Sequence, residues 1–336
     1  MKDVAFGRTE LPRKQAEALR RAIRLEWITI GFLVVAVTLV GLVLGNSQAM
    51  KVAWAEDLLS LLPPIAFLIA VRIIRKPPSR ERPYGYHRSV GVAHLVAAVA
   101  LLVMGTLLII DSGMSLITAE HPAIGSVELF GQVFWLGWLM IGAMVLTGVP
   151  PVLLGRAKMK LAEDLHDKVL YADADMNKAD WMTALGSIIG VSGIGIGLWW
   201  TDAVAALFIS FTISSDGVKN MRSAIQDLMD VRAKTYDGER PHPVIDEVED
   251  YLRGLDWVAD AGARARDEGH VFHVECFVVP REGCEPSVDT IEQARAACAD
   301  LDWRLMDVVV VPVPALPAEV APSGRGHGGA PSRGAW

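Results

Sequence analysis

The sequence predicts an α-helical membrane protein of six transmembrane helices followed by a small soluble α+β domain. Three observations predict it. Apolar residues make up 52% of the 336, and they are gathered into blocks of about 20, the helical length that crosses a bilayer core. Basic residues crowd between alternate blocks. After Val218 the blocks stop and shorter helix-period and strand-period patterns begin. The mean hydropathy of +0.33 is high for a chain of this length.

Residues 1–25 carry Lys2, Arg8, Arg13, Lys14, Arg20, Arg21 and Arg24, and read as a basic arm on an anionic membrane face. Six spans follow at about 27–45, 52–74, 90–117, 130–154, 180–200 and 202–218, within a helical domain over 26–220. The first is longer than a signal-peptide core and reads as a retained helix, although Ala53-Trp54-Ala55 loosely resembles a cleavage site. Orientation comes from the loops. The segment 72–88 holds Arg72, Arg75, Lys76, Arg80, Arg82 and Arg88, and 155–178 holds Arg156, Lys158, Lys160, Lys168 and Lys178. The opposite loops hold only Lys51. The positive-inside rule then makes both termini cytoplasmic, in a multi-pass protein of the plasma (inner) membrane.

Residues 242–254 have apolar helical spacing, 257–265 and 271–279 read as strands, 287–300 as a helix and 308–313 as a last strand. The order α-β-β-α-β makes a small two-layer domain over 235–315. The tail, 316–336, is rich in Pro, Gly, Ala and Ser and reads as disordered. Cys276, Cys284 and Cys298 have no CxxC spacing and read as reduced thiols. No Ser/His/Asp arrangement, HExxH motif or nucleotide loop argues for an enzyme. The acidic soluble domain argues against nucleic acid as a partner.

Ionisable residues inside apolar blocks are costly and are functional candidates by default. Glu56 and Asp57 open the second block, with Ser60 on the Glu56 face. Asp173, Asp175, Met176, Asn177 and Asp180 lie where the fifth begins. Two acidic helix faces meeting in a bundle would form an oxygen-rich pocket suited to Mg²⁺, Mn²⁺ or Fe²⁺. Asp202 reads as a carboxylate at its own helix start, His94 as a satisfied core histidine, and Asp111 as a group bonded within the bundle.

Three local patterns resemble the cation diffusion facilitator family of divalent-metal exporters, over about 25–315. Val71-Arg72 followed by Pro83-Tyr84-Gly85-Tyr86-His87-Arg88 is similar to the family's segment after span two. Ala172-Asp173 with Asp180 is similar to the start of span five, and Trp200-Thr201-Asp202-Ala203-Val204-Ala205-Ala206-Leu207 to the start of span six. The resemblance implies a ferredoxin-like, metallochaperone-like soluble domain and a homodimer. It also implies alternating access, with a divalent cation exported against protons. Its transport-site positions fall here on Glu56, Ser60, Met176 and Asp180, without the histidine associated with zinc. Asp57, Asp173 and Asn177 are the further oxygen or amide donors nearby. The family's histidine loop site is replaced by Arg82 and Tyr86, with His87 beside them. His270 and His273 are the soluble domain's metal candidates. A non-transporting member, serving as sensor or assembly partner, is the alternative expectation.

Overall fold

A computed structural model describes residues 11–321, apart from 75, 77, 78, 120, 130 and 270. Residues 1–10 of the basic arm and 322–336 of the expected disordered tail lie outside the described residues; 13–25 of the arm open the first helix, and 316–321 of the tail are ordered, with Val320 buried against Gly262 and Glu319 paired with Arg264. The chain divides into two compact units, one over Leu11–Arg240 and one over Pro241–Asp267 and onward from Val271.

The first unit is helical. α1 (Arg13–Val43), α2 (Gln48–Leu59), α3 (Leu62–Ile74) and α4 (Ser89–Ile117) precede a short hairpin, β1 (Ser126–Leu129) and β2 (Gln132–Trp135). α5 (Leu136–Leu165), α6 (Lys168–Gly195) and α7 (Trp200–Leu228) complete it. Four stretches are long and apolar enough to cross a membrane: Arg13–Val43, Gln48–Ile74, Ser89–Ile117 and Leu136–Leu165. α6 and α7 have 28 and 29 residues but carry more charge. α1 turns one stripe inward, rich in small residues. On α1 the buried stripe is Ala18, Ala22, Glu26, Thr29, Leu33, Ala36 and Val40, which follows the i, i+3, i+4 period. Gly105 and Gly217 let α4 and α7 touch closely, since a Cβ on either would lie under 3 Å from the other helix's backbone.

The second predicted span breaks after Ser60. Pro63 and Pro64 lack N–H groups, so the carbonyls of Leu59 and Ser60 lose their helical donors, and α3 starts afresh at Leu62. The predicted fourth span, 130–154, is displaced. Its first residues, Val133, Phe134 and Trp135, pair with β1 around Gly131 at φ +78°, and the helix runs instead from Leu136 to Leu165. β-branched and aromatic side chains favour that strand. The fifth helix starts not near 180 but at Lys168, because the buried Asp167 Oδ1 accepts 2.9 Å bonds from the N–H groups of Val169 and Leu170. The sixth passes Val218 and continues to Leu228.

The second unit has the expected order α-β-β-α-β: α8 (Val244–Arg253), β3 (Val258–Asp267), β4 (Phe272–Pro280), α9 (Val288–Leu301) and β5 (Leu305–Pro312). β3 and β4 are antiparallel, and β4 and β5 are parallel because α9 crosses between them. Ile245, Val248 and Leu252 of α8 are buried, as are Val258, Ala261, Phe272, Val274, Cys276 and Val278 of the sheet. All three cysteines are free thiols.

Candidate functional site

α2 is fixed at both ends before it presents any carboxylate. Its first turn is held by Asp202 of α7. Oδ1 accepts from Ser47 Oγ at 2.6 Å and from Ala49 N at 3.2 Å, while Oδ2 accepts from Gln48 N at 2.6 Å. Asp202 thus caps a neighbouring helix rather than its own, and is fully buried in doing so. Trp54 Nε1 donates to Val37 O of α1 at 3.0 Å. Ser187 Oγ of α6 donates to Ala49 O at 3.4 Å. Gly190 of α6 lies against Ala49, Asp202 and Ala205 with no room for a side chain to settle freely.

That clamp sets the last turn of α2, with Glu56 and Asp57 half-buried and Ser60 buried, against α6. The Thr183 hydroxyl of α6 is within hydrogen-bonding reach of Glu56. Asp180, half-buried, shares an electrostatic neighbourhood with Glu56 and Asp57. Glu56, Asp57 and Asp180 have no lysine or arginine ion partner among the described residues. The arrangement is therefore a cluster of carboxylates between two helices, with the Thr183 hydroxyl beside Glu56. Thr183 was not among the sequence candidates. It sits three residues after Asp180, and that spacing alone places the two on one face.

Met176 packs against the apolar cluster of Val52, Leu59, Ile209 and Ile213. It also lines a cavity of about 1100 Å³ bordered by Asp175, Asp216 and Lys219. Among the described residues, no group of three or more His, Cys, Asp and Glu side chains is set as a metal cage.

Asp173 and Asn177 belong to a different assembly. Asp173 and Glu26 of α1 both bind the Lys158 ammonium of α5, with 2.9 Å between Nζ and Glu26 Oε2. Asn177 Nδ2 donates to Asp173 O at 2.7 Å and to its Oδ1 at 3.2 Å. Lys158 is fully buried. Its place in the cytoplasmic loop count is thereby corrected: it points into the bundle and says nothing about sidedness. Glu26 was missed, although it stands in the middle of the buried α1 stripe.

His94 Nε2 lies 3.3 Å from Asn220 Oδ1 and is buried, in keeping with a satisfied core histidine. Asp111 is exposed on the outer face of α4. Arg82 lies over the Tyr86 ring at 5.0 Å. In the second unit, His273 Nδ1 is 2.6 Å from Asp307 Oδ2, and Nε2 is 3.4 Å from Glu275 Oε1. The Asp307 carboxylate raises its pKa above the usual value. His270 lies outside the described residues.

Comparison with known proteins fits this helical unit. The model of the cation efflux transmembrane domain matches residues 26–229, more than half of the chain. The manganese efflux system protein MneS of Bacillus subtilis (strain 168) is 26% identical over 56% of this chain, which spans 61% of that relative's length. The uncharacterized transporter YdbO of the same organism is 24% identical over 82% of this chain and 87% of its own. The manganese efflux system protein MneP, also from that organism, is 23% identical over 67% and 72%. A helical membrane domain, carboxylates clustered between two of its helices and a family model covering that same domain lead to one conclusion: the chain belongs to the cation efflux family.

Proposed function

We propose that this protein exports a divalent metal cation of the Mn²⁺, Fe²⁺ or Mg²⁺ kind in exchange for protons. It does so as a homodimer working by alternating access, with α6 and α7 completing six spans and both termini in the cytoplasm. The observation that carries this reading is the meeting of α2 and α6. It brings the half-buried Glu56, Asp57 and Asp180 within electrostatic reach of one another, with no lysine or arginine ion partner among the described residues. Hard carboxylate and hydroxyl oxygens, with no histidine, favour hard cations over zinc. Two relatives that carry manganese efflux in their names support the same choice. Glu56 and Asp180 would be the principal ligands, with Asp57, Ser60 and Met176 beside them. Asp173 and Asn177 are already engaged with Lys158 and with each other.

A second reading is a sensor or assembly partner that does not transport. The lack of a three-residue His/Cys/Asp/Glu cage among the described residues favours it. Reconstitution separates the two. Purified protein in proteoliposomes is challenged with Mn²⁺, Fe²⁺, Mg²⁺, Co²⁺ and Zn²⁺ while metal uptake and internal pH are recorded. The expected result is Mn²⁺ flux with opposing proton movement, abolished by Asp180→Asn and by Glu56→Gln. Failure of folded protein to move any of the ions overturns the transporter reading.

A further inference from the structure

Two turns from Asp180 along α6 sits the ionic group that the transport site does not use. Glu26, Lys158 and Asp173 come from three helices, and their side chains are 0%, 0% and 4% exposed. Asp173 has both oxygens engaged, one by Lys158 and one by Asn177. Glu26 gives Oε2 to Lys158, whereas its Oε1 is buried with no hydrogen-bond partner. Two carboxylates therefore share one ammonium. Fully ionised, the trio would leave one negative charge uncompensated in the interior, where charge is most costly.

Among the described residues, the charges acting on Glu26 are Asp173, Asp167 and the single cation Lys158. α3 contributes Phe67, Ala70 and Val71 to the cluster around this face of α1, and α5 adds Leu161, Ala162 and Leu165. From α2 the neighbour pinned to α1 is Trp54. The turn before α6 brings Asp167, another carboxylate, whose Oδ1 is held by backbone N–H groups. A proton on Glu26 removes the surplus charge, and an orphan neutral oxygen costs far less than a bare buried charge.

We infer that Glu26 is the seat of the proton exchanged against the metal, a proton site separate from the metal-binding carboxylates. This rests on the antiport reading above and adds to it where the proton is carried. Asp173 and Asp180 lie on one face of α6, about 10 Å apart along its axis. Asp180 is within electrostatic reach of both Asp173 and Lys158. Interior charges at that separation are little screened by salt. A dication arriving at Asp180 raises the local positive potential, which favours ionised Glu26, and the proton leaves. Its return restores one positive charge and loosens the hold on the metal.

The test uses full-length protein in proteoliposomes, with Mn²⁺ uptake and internal pH followed in the same vesicles. Glu26→Gln is expected to keep Mn²⁺ affinity within about tenfold of the unmodified protein, the mild end for groups that do not touch the metal. Its ratio of protons to Mn²⁺ should fall by about one. Glu26→Asp, which keeps the carboxyl, should restore the ratio. An unchanged ratio in Glu26→Gln overturns the inference and leaves antiport standing. Mn²⁺ flux without proton movement in the unmodified protein sinks antiport itself, and the inference with it, before any variant is considered. Should Glu26→Gln not fold, infrared difference spectra on Mn²⁺ addition decide the matter. The carbonyl stretch of a protonated carboxylic acid should disappear from the unmodified protein, and its position should shift in Glu26→Asp. A band that stays in place in Glu26→Asp overturns the inference.

Discussion

Asp173 and Asp180 stand on the same face of α6, yet Asp173 is 3% exposed with its oxygens taken by Lys158 and Asn177, whereas Asp180 is half-buried and has no ion pair among the described residues. Sequence position does not separate the two. What separates them is whether the bundle supplies a cation. Lys158 reaches Asp173 from α5, and α2 sets Glu56 and Asp57, both acids, against Asp180. A sealed carboxylate with a resident partner holds helices together. An open one among other acids is under-compensated and suited to receive a positive charge.

The sharpest way to break this contrast is to remove the resident cation. Lys158→Met leaves two buried carboxylates without their partner and should cost about 3–5 kcal/mol of stability. Asp180→Asn, which removes a charge that has no partner, should stay within ~1 kcal/mol. Thermal unfolding of the detergent-solubilised protein compares them, and equal losses would erase the distinction between sealed and open groups.

Asp202 extends the comparison to a sealed carboxylate balanced by N–H groups instead of an ammonium. Asp202→Ala removes three bonds at the start of α2 and should cost about 2 kcal/mol. Hydrogen exchange should quicken at the amides of Gln48 and Ala49 while β3–β5 stay unchanged.

The smallest effect belongs to His273. Its folded pKa is raised above the unfolded value near 6.5 by the Asp307 hydrogen bond. The stabilisation is therefore complete below pH ~6.5 and is lost as pH rises through the raised value. Glu275, shifted down chiefly by its Arg264 hydrogen bond against the pull of burial, acts only in the acid range and does not confuse this window. Beyond the intrinsic pH dependence of exchange, opening at the β4 amides should become easier as pH rises above about 6.5, by less than ~1 kcal/mol, and His273→Gln should flatten the dependence.

Much of the second unit was legible because its signals are local. Alternation over Phe272–Val279 and the apolar face of α8 each specify one element, and one sheet accommodates them in order. The membrane unit was harder to read where polar residues face inward. The charges of Asp173, Asp175 and Asp180 suggested a boundary, yet they lie along one continuous α6, capped by Asp167. Counting Lys158 with the loops failed because a charge count does not register where a side chain points. Glu26 was readable in principle. Ala18, Ala22, Thr29 and Leu33 mark the buried face on which it stands. The Pro63-Pro64 pair was visible too, and its missing donors account for the break after Ser60. Glu56 and Asp180 stood out as ionisable residues in apolar blocks. Asn177 beside Asp173 follows from their i, i+4 spacing, whereas only packing places Thr183 beside Glu56.

The cap on α2 has a consequence for how the chain is made. Ser47 and Asp202 are 155 residues apart, so at roughly 5–20 residues per second the ribosome takes about 8–30 s to reach the residue that completes the start of α2. Until then Ser47 Oγ, 3.2 Å from Met50 N, is the acceptor at hand for that turn. The second helix is thus provisional through most of synthesis, and the arrival of α7 fixes it. A chain cut short before Asp202 would leave Glu56 and Asp57 on a helix whose first turn keeps the Ser47 cap but lacks the three bonds to the Asp202 carboxylate.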